Sequence, residues 1–186
     1  MPHLQLLATA LTVLAAFYLA ACIVFFGQKT RGYRHLRHTI SELGEVGAPH
    51  QRAVAFGFFL PIGTLLLVVA SLLLATSQTA ALLALCIAVG YLVAAFFPCD
   101  PGSPASGTTR QGIHNLGGAV EYIGGGVALE QVSDTPFRPL GLAVLGAAAL
   151  LTILPNTSVR GLFQRLAETG LFAGLALAAA TTYAGA

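Results

Sequence analysis

Charge is scarce in this chain. Nine lysines and arginines and seven aspartates and glutamates make up 9% of its 186 residues. A soluble globular domain carries about 25% charged residues, so this chain lacks the polar surface to face water all round. Other absences narrow the function. There is no P-loop, no G-x-G-x-x-G, no H-E-x-x-H and no G-x-S-x-G, so soluble nucleotide chemistry and zincin-type proteolysis have no sequence support. No surface stretch interleaves basic residues with aromatics, which argues against a nucleic-acid partner. The cysteines are three, Cys22, Cys86 and Cys99, with no C-x-x-C pair. Two of them fall in apolar runs, where cysteine behaves as a small hydrophobe, and a disulfide framework is not expected.

Long apolar runs are what the sequence has in their place, 56% of it being hydrophobic. Residues 4–26, 53–76, 79–97, 114–133, 139–154 and 161–184 each approach the roughly 20 helical residues that cross a hydrocarbon core. In lipid the backbone must satisfy its own hydrogen bonds, and the period-2 alternation of a membrane barrel is missing. The expectation is an all-α integral membrane bundle of six transmembrane helices forming a single membrane-embedded domain over residues 1–186. The first run has no basic residue ahead of it and is too long for a signal peptide, so it stays as a span. Lys29, Arg31, Arg34, Arg37, Arg52, Arg110, Arg160 and Arg165 fall in the odd-numbered connections, whereas Arg138 alone falls on the other side. The positive-inside rule therefore predicts three cytoplasmic loops and both termini on the non-cytoplasmic side.

Helix signals mark the connections. Thr108-x-x-Gln111 is a capping-box pattern that starts the fourth helix near position 109. Pro49 suits the first turn of the second span, and Pro61 should kink that span and free a backbone carbonyl for a neighbour.

Titratable chemistry collects in "RGYRHLRHTISELG", residues 31–44. On a helical wheel Arg31, Arg34, His35, His38, Ser41 and Glu42 share one side, opposite Tyr33, Leu36, Ile40 and Leu43. That predicts an interfacial helix with its apolar face in lipid. Thr39-x-x-Glu42 is also a capping box, which would start a short helix instead. Arg34, Arg37 and Arg110 are candidates for contact with anionic headgroups. His35, His38 and Glu42 lie at i, i+3 and i+7, a spacing that lets metal ligands converge, while His38 is close enough in sequence to act as a base for Ser41.

In the fourth span His114, Gly118, Glu121, Gly125 and Ala128 share one stripe of mostly small residues, which predicts that His114 and Glu121 face the bundle interior. An ionisable residue inside a span is a functional-site hypothesis by default. Glu130 points the other way and sits with Asp134 as an interfacial or capping group. Topology then gathers His38, Ser41, Glu42, Asp100 and His114 at the cytoplasmic mouth of the bundle as candidate catalytic residues, with Glu121 deeper as a ligand-binding group. His35, His38 and His114 are the candidate ligands if a divalent metal such as zinc is held there.

The set "HTISELG" after the first span, "FFPCD" after the third and a histidine opening the fourth resembles the bacterial membrane proteins grouped as domain of unknown function 998. The likeness runs over nearly the whole chain. It implies a six-helix, multi-pass protein of the bacterial cytoplasmic (inner) membrane with polar residues at His38, Ser41, Asp100 and His114, and it implies no particular reaction. His35 beside His38, and the run Gly124 to Gly126, fall outside the resemblance. Three functions fit these residues: a protein whose polar mouth binds a lipid headgroup or small ligand, a membrane-embedded hydrolase or transferase acting on a lipid, and a proton- or ion-coupled carrier using Glu121 and His114.

Overall fold

A computed structural model of the chain describes residues 2–132, 137–155 and 157–181. Among the described residues every regular element is helical. Helix α1 is Pro2–Lys29 and α2 is Gln51–Leu73, the latter widened by a π turn at Ala55–Phe59. Helix α3 is Gln78–Phe96. Helix α4 begins as Thr109–Ala119, passes through a second π turn at Val120–Gly124 and ends as Gly125–Glu130. Helices α5 and α6 are Phe137–Ile153 and Arg160–Thr181. Asp134, expected to pair its role with Glu130, lies outside the described residues.

Helices α1, α2 and α3 are long and apolar enough to cross a membrane, and α5 is a shorter apolar helix. Their outer faces are as apolar as their inner ones: Phe17 is 72% exposed and Leu6 69%. Contiguous surface of that kind suits lipid tails and not water. Each helix packs against its neighbour in sequence, α6 closes back on α1, and α6 also reaches α3 and α4 at the centre.

The local signals explain the helix ends. The Thr108 side chain accepts from the Gln111 backbone N–H, so α4 starts at Thr109; Ser77 does the same for α3 through Ala80. Pro49 stands just outside α2, one residue before the cap position at His50, not in its first turn. Pro61 has no N–H to offer the Gly57 carbonyl four residues back, and the Tyr18 hydroxyl on α1 donates to that carbonyl.

The run Gly124 to Gly126 serves three helices at once. A methyl group at Gly124 would meet Cys86 on α3, at Gly125 it would meet Leu171 on α6, and at Gly126 Leu145 on α5. Gly117 approaches Val93 of α3 in the same way, whereas Gly118 is open. Bare backbone at these positions lets α4 sit close to three partners.

The amphipathic helix expected over residues 31–44 does not form. Gly32 adopts φ +79, turns follow, and only Ser41–Gly44 is helical, as one 3₁₀ turn. The competing capping box wins: the Glu42 carboxylate accepts from Thr39 N–H at 2.8 Å, and Glu42 N–H returns to Thr39 Oγ1 at 3.3 Å. The carbonyls of Leu36 and Arg37, which a helix would use internally, accept instead from Leu162 and Gly161 at the start of α6. They satisfy donors that every helix N-terminus leaves free.

The first, third and fifth connections interlock. Val46 N–H donates to Cys99 O at 3.0 Å, Gly102 N–H to Glu45 Oε2 at 2.6 Å, and Arg160 Nη1 to Gly102 O at 2.8 Å. All three therefore share one end of the bundle.

Candidate functional site

Beneath the interlocked loops lies a cavity of about 630 Å³. Its polar lining includes Ser41 and Ser103 in the loops, His114, Asn115, Glu121 and Tyr122 on α4, Tyr91 on α3, and Arg160, Gln164 and Glu168 on α6. Its apolar lining includes Phe59 and Ala94, with Leu145, Ala148, Ala149 and Ile153 of α5 forming one side. Its exposed lining runs from Ala105 and Pro155 in the loops along Ala149, Thr152 and Ile153 of α5 to Ile123 of α4, so the cavity opens along the α4–α5 side as well as at its loop end.

The inner end is built from three helices. Glu121 is 6% exposed and Glu168 4%. Tyr91 Oη donates to Glu168 Oε2 at 3.0 Å, and Tyr122 Oη donates to Glu168 Oε1 at 2.8 Å. Gln164 Nε2 donates to Tyr122 Oη at 2.9 Å and more weakly to Ser41 Oγ at 3.5 Å, while its Oε1 accepts from Ile40 N–H at 2.6 Å. The chain of bonds thus runs from the first loop through α6 to the acid. Glu121 lines the same buried end of the cavity as Glu168. Its carboxyl rests on bare backbone at Gly90, where any side chain would collide with it. Among the described residues no donor reaches Glu121 Oε1. Glu121 also sits in the π turn of α4, and such widened turns recur at functional sites.

At the mouth, His114 Nδ1 and the Phe97 carbonyl are 2.9 Å apart. A carbonyl only accepts, so Nδ1 carries the hydrogen and Nε2 of the neutral ring keeps its lone pair. Arg160 donates to the carbonyls of Gly102 and Ser103. No carboxylate stands within ion-pair distance of it among the described residues.

The other expected members serve the loops. Asp100 accepts from Thr108 N–H at 2.8 Å, Thr108 Oγ1 at 2.9 Å and Arg110 Nη2 at 2.7 Å. The Thr108 backbone N–H, aided by Arg110, holds this carboxyl below the usual carboxylate range. Asp100 and Arg110 therefore brace the entry to α4, and neither lines the cavity. Glu42 is taken up in its capping box. His38 Nδ1 accepts from Arg34 N–H at 2.8 Å, and no hydrogen bond joins His38 to Ser41 among the described residues. His35 Nδ1 accepts from Arg165 Nη2 at 3.3 Å, and burial, with the guanidinium beside it, lowers its pKa from the ordinary imidazole value. Arg34 and Arg37 are exposed. Of the expected set the cavity brings together Ser41, His114 and Glu121 only.

The metal expectation meets the same geometry. No group of three or more histidines, cysteines, aspartates or glutamates stands together among the described residues, so His35, His38 and His114 do not converge. Docking of the first loop on α6 turns His35 toward Arg165 and His38 onto its own backbone. Cys99 is buried and free; burial pushes its thiol up to about 12, too high for a ready nucleophile.

Sequence reasoning missed Glu168, Gln164, Tyr91 and Tyr122. The signal for Glu168 was present, since it is an ionisable residue within the sixth apolar run, one helical turn from Gln164. The two tyrosines carried no such mark.

The sequence profile of the family described as protein of unknown function (DUF998) matches residues 13–181. No curated protein and no solved structure matches the chain.

Proposed function

The chain belongs to the DUF998 family, proteins of unknown function, and we propose that it is a multi-pass membrane protein whose cavity binds a lipid headgroup or small amphiphilic ligand. In this reading all six helices cross the bilayer, the interlocked loops face the cytoplasm with the basic residues, and both termini lie outside. The membrane is then the bacterial cytoplasmic membrane, and its lipids are the first partners to test. The observation that carries the binding reading is the cavity itself. It joins polar groups at the loop end to an apolar side that opens between α4 and α5. An amphiphile matches that division, and Arg160, which has no carboxylate within ion-pair distance among the described residues, suits an anionic head at the loop end.

The test is to purify the protein in mild detergent, extract what stays bound and identify it by mass spectrometry. A stoichiometric amphiphile should accompany the wild type and be depleted in Arg160→Ala and in Ala149→Phe, which narrows the rim. Unchanged retention in both variants refutes the reading. Reporter fusions at either terminus test the orientation independently.

A second reading is transfer or hydrolysis on a bound lipid. It is favoured by one feature, the Nε2 lone pair that His114 keeps while Nδ1 is held by Phe97. Turnover of a bound lipid that is lost in His114→Gln would support it.

A further inference from the structure

The inner end of the cavity has more acceptor than donor. Glu168 receives two tyrosine hydroxyls, but Glu121 Oε1 receives none. Both carboxyls line the same buried end, and Glu121 Oε2 is packed on the Gly90 backbone, so Oε1 is the oxygen left to meet a ligand in the cavity. The titratable and charged groups around it are few. Cys86 and Tyr91 face it from α3, Tyr122 from α4 itself and Arg165 from α6. Arg165 is already engaged, donating to Tyr33 Oη at 2.6 Å, His38 O at 3.0 Å and Gly161 O at 2.9 Å. What the inner end lacks, among the described residues, is a donor to Glu121 Oε1.

Three observations decide what kind of cation fits. A magnesium or calcium ion takes six or more oxygens, and no group of three histidine, cysteine, aspartate or glutamate side chains stands together among the described residues. The rings of Phe59, Tyr91 and Tyr122 line the same end, and aromatic faces attract organic cations. Ala94, Leu145, Ala148 and Ala149 line the cavity as well, which suits a carbon chain behind the charge. We propose that the Glu121–Glu168 pair is the recognition site for the ammonium group of an amine, held by the Glu121 carboxyl against the aromatic rings. This rests on the cavity being a ligand site and names the chemistry of that ligand. The ammonium has two possible sources, an aminolipid headgroup or a free alkylamine.

The experiment uses the full chain in nanodiscs and isothermal titration calorimetry with two probes of equal length, octylamine and 1-octanol. Heats from empty discs are subtracted. Octylamine should bind the wild type at least about tenfold more tightly than octanol. In Glu121→Gln and in Glu168→Gln that preference should vanish, with octanol binding unchanged. Equal affinity of the two probes for wild type overturns the proposal and leaves the cavity reading standing. Binding of neither probe removes both. The wild-type comparison needs no variant, so it stays decisive if a variant fails to fold. Native mass spectrometry then separates the sources. Selective retention of phosphatidylethanolamine over phosphatidylglycerol supports an aminolipid, and octylamine binding without that selectivity supports a free amine.

Discussion

Tyr122 is the joint of the buried cluster, and its removal gives a sharp test. Its hydroxyl makes two bonds, donating to Glu168 at 2.8 Å and accepting from Gln164 at 2.9 Å, whereas Tyr91 makes one, at 3.0 Å. Side-chain hydrogen bonds between membrane helices average about 0.6 kcal/mol and reach about 1.7 kcal/mol. Tyr91→Phe should therefore cost about 1 kcal/mol and Tyr122→Phe about 2 kcal/mol. Gln164 has a fallback in Ser41 Oγ at 3.5 Å, which limits the second figure. Ser41→Ala alone should cost under about 0.5 kcal/mol, because that bond is long. Combined with Tyr122→Phe it removes both acceptors of a buried amide N–H. The double variant should then lose about 0.5–1 kcal/mol more than the two single losses together. The assay is reversible unfolding in mixed micelles titrated with dodecyl sulfate, followed by helical circular dichroism. Additive losses, or Tyr91→Phe matching Tyr122→Phe, would refute the bond network as described.

Three further outcomes follow from the connections. Asp100 is held below the usual carboxylate range, so its contribution is complete above the unfolded value of about 4 and disappears as pH falls through the still lower folded value. The gap in melting temperature between wild type and Asp100→Asn should stay flat from about pH 8 to 5 and close in stronger acid, read by thermal circular dichroism. Tyr18→Phe should cost about 1 kcal/mol by orphaning the Gly57 carbonyl, and close to nothing in a Pro61→Ala background, where residue 61 regains an N–H; the same micelle unfolding measures both. Gly161→Ala places a methyl group on the carbonyls of His38 and His35. It should cost about 1–3 kcal/mol and speed tryptic cleavage after Arg34 and Arg37 several-fold, because the first loop must undock.

Apolar run length sufficed to place six helices, and the Thr108 cap and the Pro61 carbonyl were legible because both are local. The inward turn of Glu121 was legible too, since small residues mark the face a neighbour approaches. The first loop was not. Whether Leu36 and Arg37 keep their carbonyls for a helix or lend them to α6 depends on a segment more than 120 residues away. Tyr91 and Tyr122 were invisible for a related reason. An aromatic in an apolar run looks like core until the acid that takes its hydroxyl is known, and here that acid is on another helix.

The two acids of the pair belong to α4 and α6, with α5 inserted between them. During synthesis Glu121 therefore emerges well before Glu168, Gln164 or the docking surface at Gly161 exists. In the proposed six-span arrangement, with helices entering the bilayer in chain order, the fourth does so with the Glu121 carboxyl resting only on the backbone at Gly90. The last helix brings the partner acid, the amide that ties Tyr122, and the donors that seat the first loop. A chain stopped after α5 would therefore lack Glu168, Gln164 and the N–H donors of Gly161 and Leu162 that seat the first loop, leaving Glu121 without its neighbouring acid.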